Sequence, residues 1–97
     1  MFGRDVKALA RKIIVHRYDY FSGDRLNSEG RKVFEEMARM LVFEHPYYKK
    51  RVKEVRRRGD FESFIKLAEL ILGEAETKSL VSATLSSPYK ERGASGA

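Results

Sequence analysis

Twelve residues, FESFIKLAELIL (61–72), lie between Gly59-Asp60 and Gly73 and carry apolar side chains around more than half of a helical circumference: Phe61, Phe64, Ile65, Leu67, Ala68, Leu70, Ile71 and Leu72. A helix on the outside of a protein needs only one apolar stripe, so a segment this apolar has to be covered on several sides and belongs in the middle of a bundle. Its boundaries are equally restrictive. Gly59 supplies a left-handed stop and Asp60 a new cap, which forces the preceding helix and this one into a tight corner. Gly73 closes the segment.

The remaining elements follow from the same signals. Pro46 lacks an N–H donor and biases His45 away from helical angles, so one helix ends there and the next opens with Pro46 in its first turn. Before it, Asn27 or Ser28 caps a helix with Val33, Phe34, Met37, Ala38, Leu41 and Val42 on one stripe, widened by Met40 and Phe43. After it, residues 46–58 form a helix whose inward side is only Tyr48, Val52 and Val55. A first helix, capped by Asp5 and running to about His16, carries Val6, Leu9, Ala10, Ile13 and Ile14 at helical spacing. VHRYDYF (15–21) alternates and is expected to be a short extended segment, followed by a polar loop over residues 22–30. Residues 74–85 satisfy neither period for long enough to decide between a fifth helix and an extended arm. The expected fold is therefore all-α: a compact bundle of four to five helices forming one domain over 1–85, with a flexible C-terminal tail over 86–97, where the residues are small and polar and Pro88 intervenes.

Composition narrows the function classes. The chain has 97 residues, 42% apolar and 35% charged, too apolar for disorder and enough for one modest core. It has no cysteine, which removes disulfides and thiolate metal sites and suggests a reducing, cytoplasmic setting. Charges interrupt the apolar residues at the start, and no run of apolar residues is long enough to span a bilayer, so no leader and no membrane association are expected. Glutamine is missing, Asn27 is the one asparagine, and Lys, Arg and Glu are abundant, a profile favoured in thermophiles.

Charge is where the sequence speaks most directly about partners. KKRVKEVRRR (49–58) holds seven cations, Lys49, Lys50, Arg51, Lys53, Arg56, Arg57 and Arg58, against the single acid Glu54. Removing these from the chain totals of 20 basic and 14 acidic residues leaves thirteen of each, so the whole net charge of +6 resides in this segment. On a helix it becomes a cationic ridge about 15 Å long. Part of it serves the helix itself, because positive charge in a last turn is favoured by about 0.3–1 kcal/mol per residue. Most of the ridge nonetheless faces outward, and arginine's planar fork reaches two phosphate oxygens at once. Tyr47 opens the run and can stack on an unpaired base. These residues point to a non-enzymatic protein that binds DNA or RNA through its phosphates with little sequence preference. The alternative is a small subunit of a larger nucleic-acid-processing complex, docking on protein through Met40, Phe43 and Tyr47.

Signals for chemistry are sparse. The glycines form no phosphate-cradling loop, no nucleophile elbow surrounds a serine, and the two histidines lack the one-turn spacing of metal ligands, so no catalytic residue, metal or cofactor is assigned. One pattern remains: Arg11 precedes His16 by five residues and Arg39 precedes His45 by six. This spacing resembles the Arg-to-His motif of the HEPN ribonucleases, small helical proteins, and the resemblance implies a ribonuclease whose motifs meet across a dimer. The residues after the arginines, Lys12 and Met40, depart from the asparagine often found there.

Overall fold

The structure, a computed structural model, describes residues 2–85; the tail expected over 86–97 lies outside the described residues. The segment 61–72 forms α5 (Phe61–Leu72), and its neighbours in chain order are α1 (Arg4–Val15), a single turn α2 (Arg17–Tyr20), the hairpin β1 (Phe21–Ser22) and β2 (Arg25–Leu26), α3 (Ser28–Glu44), a 3-10 turn over Pro46–Tyr48, α4 (Lys49–Arg58) and α6 (Glu74–Leu85). Five helices of ten or more residues thus surround one core, as the apolar periodicity requires. Among the described residues no helix is long and apolar enough to cross a membrane.

The core is built where the stripes meet. Helix α5 buries Phe61, Phe64, Leu67, Ala68 and Ile71 and packs against α1, α4 and α6. Helix α1 shares the centre with it, burying Val6, Ala10, Ile13 and Ile14 between α3, α5 and α6. Phe34 of α3 meets Phe64 edge-on at 6.2 Å, the favourable orientation for two ring quadrupoles.

Several local expectations are corrected. Asp5 does not cap α1: Gly3 holds the capping position without a side-chain bond, and Asp5 lies in the first turn, where its negative charge is favoured by the helix dipole. Residues 15–21 are not extended. His16 breaks α1 at φ −103° and its carbonyl accepts from Asp19 and Tyr20, so the chain restarts as α2. The loop after it contains the hairpin, in which Phe21 pairs with Leu26 and both are buried. Gly23 makes that turn at φ 64°. Pro46 starts a 3-10 turn before α4 rather than α4 itself.

The corner between α4 and α5 is locked from two directions. Gly59 adopts φ 67°, as its position after a helix requires, and its carbonyl accepts from Leu26 N–H at 2.8 Å, while Phe61 N–H donates to Asp24 at 2.9 Å. The hairpin is therefore stitched onto the corner. Asp60 caps α5 by accepting from Ser63 N–H at 3.0 Å. The hydroxyl and backbone of Ser63, then the Arg58 guanidinium, hold the Asp60 carboxyl down from an ordinary 3.8 to about 2. Because the folded chain prefers the ionised form, this contribution is complete above the unfolded pKa and is lost as the pH falls towards 2. Asp60→Ala should cost about 1 kcal/mol near neutral pH. The difference from wild type should shrink as urea denaturation is repeated from about pH 5 down to about pH 2. A difference independent of pH would remove the capping carboxylate as its cause.

Residues 74–85 are helical because other elements anchor them. Arg11 Nε donates to Glu76 at 2.5 Å, the Thr77 hydroxyl is buried and donates to the Gly73 carbonyl at 2.8 Å, and Thr84 reaches the Leu80 carbonyl at 2.9 Å. The weak apolar period of this segment is thereby supplemented by polar contacts to α1 and to its own backbone.

Candidate nucleic-acid interface

Two valines orient α4. Val52 is 1% exposed, Val55 is also buried, and Tyr48 before them is half-buried. With successive residues roughly 100° apart, Lys50 and Arg57 then point directly away from the core, with Lys53 and Glu54 beside them. Lys49 and Arg56 turn towards α3, where they line a groove with Ala38, Val42 and Phe43. Arg51 and Arg58 turn towards α5 and line a depression with Ser63 and Lys66. All seven cations are exposed.

They are not electrostatically equivalent. Arg56 grips Glu35 of α3 with two parallel bonds, Nε to one oxygen at 2.7 Å and Nη2 to the other at 2.8 Å. That guanidinium, with the fields of Arg39 and Arg31, holds the Glu35 carboxyl below the usual range, and Glu35 in turn raises Arg56. With side chains 49% and 37% exposed, the pair contributes on the order of 1 kcal/mol after solvent screening. Arg58 reaches Asp60 at 3.2 Å. Both arginines thus tie α4 to its neighbours. Lys49, Lys50, Arg51, Lys53 and Arg57 make no ion pair among the described residues, so five of the seven cations remain available.

The tertiary structure adds cations that the ten-residue run does not contain. Arg39 lines the groove beside Lys49 and Arg56. Arg31 and Arg25 bring guanidinium nitrogens within 3.3 and 3.8 Å of where a Cβ on Gly59 would stand, at the other end of α4. The signal for the α3 residues was present in the spacing of Arg31, Glu35 and Arg39, four residues apart and so on one helix face. That face meets α4, which the spacing alone does not reveal.

The aromatic and apolar candidates separate. Phe43 is 86% exposed at the end of α3 and lines the groove of about 350 Å³ with Lys49 and Arg39. Tyr47 is 75% exposed, rests its ring on Tyr48 at 4.9 Å, and lines a different depression with Arg51 and Leu70. Met40 is half-buried against the core.

The two Arg-to-His pairs do not come together within the chain. His16 follows the last turn of α1, whereas the His45 ring packs on Phe2, just before the first turn, at 4.8 Å. The length of α1, about 18 Å, lies between these positions. Arg11 is engaged by Glu76 and His16 faces Asp19 at 3.6 Å. Among the described residues no group of histidine and carboxylate side chains is arranged to hold a metal ion. Comparisons with protein-family models, with curated proteins and with solved structures find no match to this chain.

Proposed function

We propose that this protein binds nucleic acid through the phosphate backbone, with α4 as the contact element and no catalytic step of its own. The observation that supports this reading most strongly is the set of five exposed cations on one short helix that have no ion-pair partner among the described residues, with Arg39 and Arg31 alongside. A surface that served only solubility would gain nothing from this concentration. Phosphates spaced along a polyanion can replace the missing carboxylates, and each contact releases a condensed counterion. Contacts of this kind position a protein on nucleic acid without reading bases, hence little sequence preference.

Salt is the direct test. With five phosphates neutralised, raising salt from about 50 to about 200 mM should weaken binding roughly 130-fold on a single strand and roughly 500-fold on a duplex. Fluorescence anisotropy of labelled oligonucleotides at several ionic strengths measures this, and a flat dependence would refute the reading.

A second reading, an accessory subunit docking on a larger protein through Met40, Phe43 and Tyr47, draws support from the exposure of Phe43. The two readings separate under the same titration. Apolar burial against a protein surface is not weakened by screening, whereas phosphate contacts are.

A further inference from the structure

Among the described residues Phe43 and Tyr47 are the most exposed of the large apolar side chains, and they stand on either side of the first turn of α4. Each has as its neighbour a cation that makes no ion pair among the described residues. Phe43 shares its groove with Lys49, and Tyr47 shares its depression with Arg51. Lys50 lies between those two cations in the sequence and points outward from the same turn.

A duplex makes poor use of this arrangement, because its bases are stacked on one another and only phosphates and sugars would meet the rings. An unpaired strand offers a free face on every base, so rings beside cations can hold bases while the cations hold the backbone. From this we infer that the polyanion is single-stranded, with bases stacking on Phe43 and Tyr47 and phosphates held by Lys49, Lys50 and Arg51. The inference rests on the nucleic-acid reading and specifies its substrate class. It also assigns Phe43 to a nucleic acid instead of to a protein partner.

The test compares a labelled oligothymidylate of about 16 nucleotides with a duplex of equal length, both titrated with the full chain at about 50 and about 200 mM salt; at the higher salt the duplex's electrostatic advantage over five contacts falls to about fivefold, below the roughly 25-fold that two stacking rings supply. At about 200 mM salt wild type should favour the single strand by about fivefold. In the double variant Phe43→Ala, Tyr47→Ala the ratio of single-strand to duplex affinity should fall about 25-fold, at roughly fivefold per ring. Tryptophan at both positions should restore it. Both side chains are exposed, so circular-dichroism melting should show an intact fold. A wild-type preference for the duplex at about 200 mM salt, or a ratio unchanged in the alanine variant, overturns the inference; salt-sensitive duplex binding would then still sustain the broader reading. Failure to bind either probe at low salt overturns both.

Discussion

Changing Lys50, Lys53 and Arg57 together to glutamate should lower oligonucleotide affinity on the order of 1000-fold at about 50 mM salt. The figure comes from counterion release: if the electrostatic term vanishes near 1 M, each phosphate contact is worth roughly eightfold on a single strand and fifteenfold on a duplex at 50 mM. Three contacts therefore amount to about 500- to 3000-fold, before any repulsion from the new carboxylates. These three side chains are exposed and make no ion pair among the described residues, so the unfolding free energy should fall by only about 1–2 kcal/mol, mostly from reversing Arg57 in the last turn of α4. Arg56→Ala should separate stability from binding. It removes the bidentate pair with Glu35, costing about 1 kcal/mol of stability while affecting binding less. Anisotropy and urea denaturation on both variants make the comparison. Undiminished affinity in the triple variant would exclude α4 as the contact element.

Gly30→Ala should destabilise the fold by about 3 kcal/mol, although alanine is the better helix former. Gly30 is buried in the first turn of α3, where a Cβ would stand 2.1 Å from the Tyr20 carbonyl oxygen and 2.8 Å from a methyl of Leu26. The Leu26 methyl ends a flexible side chain and can turn aside, but the Tyr20 carbonyl cannot yield cheaply. The Tyr20 carbonyl accepts from Asn27 N–H at 2.9 Å, Gly30 N–H donates to the Asn27 side chain at 2.8 Å, and Leu26 is bonded to Gly59. The added methyl would have to separate α2 and the hairpin from α3, disturbing the α4–α5 corner as well. Gly23→Ala provides the contrast. Its φ is 64° but nothing stands within 4 Å, so only backbone strain of about 1 kcal/mol is expected. Urea denaturation of the two variants should rank them in that order, and equal stabilities would contradict the close approach of α2 to α3.

The parts of this fold that were legible in the sequence are those set by one segment at a time. The apolar stripe of 61–72, the stop at Gly59 with the cap at Asp60, and the break at Pro46 are all local, and each appears where its residues demand. The inward valines of α4, and with them the outward direction of its cations, also follow from periodicity alone. The conformations of 15–21, expected to be extended, and of 74–85, left open between helix and arm, were set with the help of partners distant in sequence. The alternation in 15–21 resembles a strand, yet the chain closes a helical turn on the His16 carbonyl, and Arg17 lies 3.9 Å over the Phe61 ring. Residues 74–85 have too weak a period to choose a conformation alone, and their helix is tied to α1 by Arg11 and Glu76, 65 residues apart.

The candidate interface divides along the same line. The sequence by itself determined that seven cations lie on one helix and that its valines leave them in solvent, because side-chain direction on a helix is a matter of spacing. Only the tertiary structure decided which charges stay available. A charge is neutralised by whatever carboxylate the fold brings within reach, and the packing of α3 on α4 carries Glu35 to Arg56 while bringing Arg39 beside Lys49.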